Sequence, residues 1–186
     1  MELIFVIYAF LANGFEETEA IAPIDLLKRA KRNVVTVGVG GKAIASSHGI
    51  TVECDITTSG VALNEKLEGI ILPGGMPGTL NLEADATVNA AIDYCAKKGK
   101  LIGAICAAPS ILGHKGLLAG KRAICYPGFE KELKDAIVTY EPAVTDGNII
   151  TARGAGAALE FGLALVEYLL GESESSRVSD SICFSR

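Results

Sequence analysis

Three short runs of this chain, Leu3 to Phe10, Gly69 to Leu72 and Leu101 to Ile105, are apolar throughout save for the phenol hydroxyl of Tyr8. A strand with one wet face alternates apolar and polar residues. A strand that is apolar throughout must be covered on both faces, as in a parallel sheet packed between helices. The longest apolar stretch, Leu3 to Ala12, is about half of the roughly 20 residues a membrane-spanning helix needs. Only Met1 and Glu2 precede it, so it lacks the basic start of a secretion signal and reads as a buried strand.

The segments between these runs carry helical patterns. After a turn at Asn13-Gly14, Glu16 to Ala30 has acids in its first turn, Lys28 and Arg29 near its end, and Ile21, Ile24 and Leu27 for an inward face; Pro23 falls where it would bend the helix. Asn33 to Val39 is a second strand closed by Gly40-Gly41, and Ile50 to Cys54 a short extended piece. Asp85 caps a helix that reaches Lys98, turns Val88, Ala91, Ile92 and Cys95 inward and stops at Gly99. Ala123 to Tyr126 reads as a short strand, with a small amphipathic helix from Pro127-Gly128. Val144 to Ala152 reads as a hairpin about Asp146-Gly147, and Ala158 to Leu170 as the last long helix. Strands separated by helical segments of roughly 10–15 residues predict an α/β fold, a mostly parallel sheet with helices on both faces. The predicted organisation is one domain over residues 1–171. The polar, Ser-rich tail 172–186 either forms a short helix with Val178 and Ile182 inward or frays.

Composition removes several function classes. Hydrophobic residues are 49% of the 186, enough for a large core, and the net charge of −5 leaves no basic face for a nucleic-acid backbone. The five cysteines are scattered, with no C-x-x-C pair, so reduced thiols in a cytoplasmic protein are expected, and no metal-ligand spacing occurs.

In parallel sheets, sites gather at the carboxyl ends of strands. That directs attention to the loops after Phe10, Leu72 and Ile105. Cys106 stands where an apolar strand gives way to Ala107-Ala108-Pro109-Ser110-Ile111, the arrangement of a strand–nucleophile–helix elbow. A helix N-terminus there would lower the thiol pKa; the competing reading is an inert core cysteine. Pro73-Gly74-Gly75 is either a plain turn or a place where backbone N–H groups meet negative charge. Glu16, Glu17 and Glu19 either satisfy a helix N-terminus or include one acid/base group. Gly38-x-Gly40-x-x-Ala43 follows the wrong strand for a dinucleotide loop. His114 lies 8 residues beyond Cys106, roughly 12 Å along a regular helix, too far for a direct Cys–His bond; His48 sits in a loop.

Glu16-Glu17-Thr18-Glu19, Leu72-Pro73-Gly74-Gly75, Ala104-Ile105-Cys106-Ala107-Ala108-Pro109 and Thr151-Ala152-Arg153-Gly154 occur in that order. The set closely resembles the ThiJ/PfpI superfamily, and within it the subfamily of the parkinsonism-associated protein and its bacterial homologues, from about Glu2 to Gly171. The resemblance implies a flavodoxin-like three-layer sandwich and a homodimer. It makes Cys106 the reactive cysteine and Glu19 the carboxylic acid beside it. It places Gly75 and Ala107, with Gly74, at an anion or oxyanion pocket, Arg153 near an anion site, and Glu16 in a network on the dimer side. Four positions depart from the family pattern. Tyr126 stands where a histidine near the cysteine is frequent, and with a reference pKa of roughly 10 it is a poor base. Ala107 replaces the histidine of the protease branch, Gly154-Ala155-Gly156 replaces Gly-Pro-Gly, and His48 replaces an arginine of some members.

The resemblance thus implies glutathione-independent handling of reactive dicarbonyls, of glyoxalase or protein-deglycase type, at Cys106. The implied substrate is a small reactive carbonyl, with no cofactor, metal, nucleic acid or membrane partner. The alternative is a redox-sensing or chaperone-like stress protein acting through oxidation of Cys106. An amidotransferase-like or protease hydrolase is disfavoured by the missing histidine.

Overall fold

The apolar runs lie side by side in one sheet. In chain order the strands are β1 (Val6–Ala12), β2 (Val34–Val39), β3 (Ala43–Ala45), β4 (Thr51–Glu53), β5 (Ile56–Thr57), β6 (Leu67–Leu72), β7 (Leu101–Ile105), β8 (Arg122–Ala123), β9 (Ile137–Val138), β10 (Ala143–Asp146) and β11 (Ile149–Ala152). The helices are α1 (Glu17–Arg29), α2 (Gly78–Ala84), α3 (Ala86–Lys98), α4 (Pro109–His114), α5 (Ala158–Leu170) and α6 (Glu172–Ser181). The computed structural model describes residues 5–184. Leu3 and Ile4, the start of the first predicted strand, lie outside them.

Seven strands form the sheet in the order β10-β11-β7-β6-β1-β2-β5. Every pairing is parallel except β10 with β11. The period-2 alternation of side chains divides the core. Tyr8, Phe10, Ile70, Leu72, Ile102 and Ala104 face a layer built from Val88, Ala91 and Ile92 of α3 and Ile111 of α4. Ile7, Ala9, Ile71, Leu101 and Ile105 face Ile24 and Leu27 of α1, Phe161 and Leu165 of α5, and Val178 of α6. Both faces of the sheet are therefore covered, which is why these runs are apolar and the one hydroxyl among them, that of Tyr8, is satisfied by Ala62 N–H at 3.2 Å.

Helix starts follow their caps. Asp85 Oδ1 accepts from Thr87 N–H at 2.8 Å and Val88 N–H at 2.9 Å. Glu16 caps α1 by accepting from Glu19 N–H at 2.7 Å. The tail is helical, with Val178 buried and Ser175 Oγ donating to Leu163 O at 3.0 Å.

Four local expectations are corrected, and one helix is added to them. The buried stripe of α1 runs through Ala20, Pro23, Ile24 and Leu27, which leaves Ile21 at its rim, 44% exposed. The predicted strand Ala123 to Tyr126 shrinks to Arg122–Ala123. Beyond it Ile124 N–H turns to Thr151 Oγ1 (3.0 Å) and Tyr126 N–H to Cys106 O (2.7 Å). The segment after Pro127-Gly128 makes only a 3₁₀ turn, Glu130–Leu133. In the hairpin Asp146 pairs with Ile149, so the turn is Gly147-Asn148, with Gly147 at φ +62°. Helix α2 has no counterpart in the sequence reading: its start, Gly78-Thr79, is a poor helix former. A Cβ at Gly78 would stand 2.5 Å from Phe15 N, so tertiary packing chose the residue.

Helices α1 and α5 approach closely at Gly162, where a Cβ would lie 2.6 Å from Leu26 Cδ1 and 2.9 Å from Pro23 Cα. Gly162→Ala is expected to lower stability by about 1–3 kcal/mol through overpacking, despite the better helix propensity of Ala. Urea unfolding checks this; an unchanged or raised midpoint would contradict the close approach.

Candidate functional site

The carboxyl ends of β1, β6 and β7 deliver three loops to one point. Cys106 follows β7 directly and adopts φ +65°, a conformation that costs a non-glycine residue about 1–2 kcal/mol. Its backbone is held on both sides: its N–H donates to Ala152 O at 2.9 Å and its carbonyl accepts from Tyr126 N–H at 2.7 Å. Ala107 and Ala108 form the turn, and α4 begins only at Pro109.

Glu19 enters from the first turn of α1 and is 1% exposed. Its Oε2 accepts from Gly74 N–H at 3.0 Å. The carboxyl also hydrogen-bonds the Cys106 thiol and the N–H of Ala155. The backbone N–H groups of Gly75 and Ala107 point at the Cys106 sulfur. Gly74 is required by space, since a Cβ there would be 2.6 Å from both Cys106 Cβ and Glu19 Oε2. Gly75 has φ +88° and presses on the backbone of Phe15 and Glu16.

Burial pushes the Glu19 carboxyl up to about 7, with the Glu16 carboxylate adding to the rise. The bonds from Cys106, Gly74 and Ala155 pull the other way. Burial, then the charge and hydrogen bond of Glu19, push the Cys106 thiol up to about 12 against the Gly75 and Ala107 N–H groups. This corrects the expectation of a thiol lowered by a helix N-terminus. The helix starts three residues late and the sulfur is largely withdrawn from water, so desolvation wins. The contribution of Glu19 changes sign with its own proton. A protonated carboxyl has an O–H to donate, and in that form the sulfur meets three donors and no neighbouring charge.

Other predicted residues fall around this centre. Tyr126 is half exposed, with its ring beside Gly154: a Cβ on that glycine would be 3.3 Å from Tyr126 Cδ2 and 3.8 Å from Glu19 Oε1. Glu16 acts as the α1 cap. Arg153 is exposed, anchored by its N–H to Pro142 O at 3.1 Å, and its guanidinium has no ion pair among the described residues. Ala155 N–H is a contact that sequence reasoning missed; the signal was the Gly154-Ala155-Gly156 segment. Neither histidine joins the site. His114 bonds Glu83 and Glu132 (Nε2 to Glu132 Oε2, 2.9 Å), and His48 Nδ1 bonds Glu17 Oε1 at 3.0 Å.

Among the described residues, Glu16, Glu17 and His48 place ligand atoms within 4.8 Å of one another. One Glu16 oxygen already caps α1 and one Glu17 oxygen holds His48. The positive end of the helix dipole also disfavours a cation there. No described helix is long and apolar enough to cross a membrane.

The model of the DJ-1/PfpI family matches residues 6–168. Protein DJ-1 homolog B of Arabidopsis thaliana is 36% identical over 91% of this chain, which spans only 39% of that longer protein. The glutathione-independent glyoxalase DJR-1.2 of Caenorhabditis elegans is 30% identical over 92% of this chain and 91% of its own length. The structure of oxidized Toxoplasma gondii DJ-1 superposes with a TM-score of 0.93 at 31% identity, covering 98% of this chain and 100% of that one. The fold is the flavodoxin-like sandwich expected from the sequence.

The Glu19 carboxyl titrates near 4.5 when unfolded and about 7 when folded. The folded state therefore holds an extra proton between these values, and stability falls as pH rises through that window. Glu19→Gln removes this dependence. Relative to wild type it is expected to gain up to about 3 kcal/mol between pH 4.5 and 7.5. Urea unfolding across that range measures it; parallel profiles would contradict a raised Glu19.

Proposed function

The chain belongs to the DJ-1/PfpI family, and we propose that it converts small reactive dicarbonyls such as methylglyoxal to 2-hydroxy acids without glutathione, metal or cofactor. The observation that carries this reading is the convergence on one sulfur of a buried carboxyl of raised pKa and two backbone N–H groups. A relative of similar length bears the name glutathione-independent glyoxalase.

The chemistry needs one proton shared between Cys106 and Glu19. Moving it from sulfur to carboxylate leaves a thiolate beside a carboxylic acid, with net charge unchanged. The thiolate attacks the aldehyde carbon, forming a C–S bond and an alkoxide. The N–H groups of Gly75 and Ala107, released from the sulfur, face that oxygen, and the Glu19 acid protonates it. The Glu19 carboxylate then removes the proton from the former aldehyde carbon and returns it to the neighbouring carbon through an enediol. The product is a thioester, which water cleaves to the hydroxy acid and the Cys106 thiol. No step asks for a histidine, so Tyr126 in its usual place is compatible with turnover. Arg153, at the rim, is assigned to attraction of the carboxylate-bearing product or of anionic substrates. The reading includes a homodimer, since α1, the start of α5 and Ile182 after α6 line an open groove in which Ile21, Ala22, Leu159 and Ile182 are flanked by Thr18 and Asp25.

Redox sensing is the second reading. The same thiolate is oxidisable, and one structural relative is described as oxidized.

Lactate formation from methylglyoxal without glutathione is the test. Wild type is expected to show saturable turnover, Cys106→Ala none, and Glu19→Gln a loss of roughly 10²–10⁴-fold. Equal, negligible rates in all three would reject the glyoxalase reading and favour redox sensing.

A further inference from the structure

His114 does not touch Cys106, yet it occupies a junction that supports the site from behind. The loops that carry Gly75, Cys106 and Tyr126 each run on into a short helical element: α2, α4 and the 3₁₀ turn Glu130–Leu133. His114 is the last residue of α4. Its Nδ1 bonds Glu83, near the end of α2, and its Nε2 bonds Glu132 of the turn at 2.9 Å. One ring therefore joins the three elements. The main chains are close here as well: a Cβ on Gly113 would overlap the carbonyl oxygen of Glu132 and lie 2.8 Å from Leu133 Cα. The α2 side is anchored, since Asn89 Nδ2 of α3 donates to Glu83 O at 2.6 Å and to Asp85 O at 2.9 Å.

A carboxylate accepts hydrogen bonds and donates none, and a neutral imidazole has a single N–H. With a carboxylate on each nitrogen, both bonds exist together only when both nitrogens carry protons. The geometry thus calls for an imidazolium. The bonds to Glu132 and Glu83 hold its pKa above the ordinary 6.5, against the effect of partial burial. The other charges of the surrounding elements are engaged elsewhere or exposed. Lys115, next in the chain, turns to α3 and pairs with Asp93 at 2.8 Å. Asp85 caps α3, and Glu130 holds Gly128 N–H at 2.8 Å. Lys131 and Lys134, in and after the turn, are exposed and have no ion pair among the described residues.

We propose that His114 is a positioning residue and a pH switch: as an imidazolium it pins the elements behind Gly75, Cys106 and Tyr126, and when it loses its proton the surroundings of the sulfur loosen. A neutral ring keeps one N–H for one carboxylate and turns a lone pair toward the other. One of the two bonds then becomes a repulsion, and that link opens. Because folding raises the pKa, the stabilisation is complete below the unfolded value of 6.5 and is lost as pH rises through the folded value. The device rests on the geometry around the sulfur and holds whichever chemistry Cys106 performs.

The test has two arms. The ring nitrogens of the full chain, which has two histidines, are followed by ¹⁵N NMR from about pH 5 to 9, the range that brackets imidazole titration; His114→Ala assigns the signals. His114 is expected to be mostly protonated at pH 6.5, where an unperturbed histidine is half titrated. In parallel, alkylation of Cys106 by iodoacetamide is timed by peptide mass spectrometry in wild type and His114→Ala. The variant is expected to react several-fold faster at pH 6 and to approach the wild-type rate at the alkaline end, where the wild-type ring is neutral too. Its Tm deficit, roughly 2–4 °C at pH 6, is expected to shrink over the same range. A His114 ring half titrated at or below pH 6.5, or a variant-to-wild-type rate ratio that is the same at every pH, overturns the proposal.

Discussion

Three loops from different strands must bring their backbones together at one sulfur. Gly74 has no room for a side chain between Cys106 and Glu19. Cys106 accepts a left-handed backbone because Ala152 and Tyr126 hold it on both sides. Glu19 gives up water for one thiol and two amides. Each of these arrangements is unfavourable alone, by roughly 1–3 kcal/mol for the backbone strain and a comparable amount for a buried acid. They persist because the strands beneath them are locked between two apolar layers. The uninterrupted apolar runs and the polar cluster at their ends are two sides of one design: a rigid sheet is what allows a strained, desolvated point at its rim.

Much of this was legible in the sequence where a residue's own chemistry dictates its place. The strands β1, β6 and β7, the Asp85 cap, the Gly99 stop and the position of Cys106 follow from apolar continuity and turn chemistry. What escaped was set by neighbours far away in the chain. Ile21 has the helical spacing of a core residue, but the α1 stripe turns slightly and leaves it outside. Helix α2 begins with residues selected for contact with Phe15 rather than for helicity. The direction of the Cys106 pKa depended on how deeply the sulfur is buried and on where α4 actually begins, neither of which spacing can tell. Ala155 reaches Glu19 through its backbone, which carries no signal in the residue type.

The residues around the site also share work. Glu16 caps α1 and at the same time raises its neighbour Glu19 through charge. Tyr126 contributes a backbone N–H to the Cys106 carbonyl while its ring flanks Gly154. Side-chain identity at position 126 can therefore vary without loosening the turn, because the bond to Cys106 belongs to the main chain.

The two ends of the sheet have a bearing on behaviour in a crowded solution. One outer strand, β5, is only two residues long. The other, β10, ends at Asp146, whose carboxylate takes the N–H of Arg122 at 2.9 Å and pairs with Lys121 at 3.4 Å. Open strand edges are templates for pairing between molecules. A short edge on one side and a charged, tethered one on the other leave little template. Self-association by strand addition would first require β5 or β10 to detach, so the sheet's own edges, rather than a covering element, guard the fold against it.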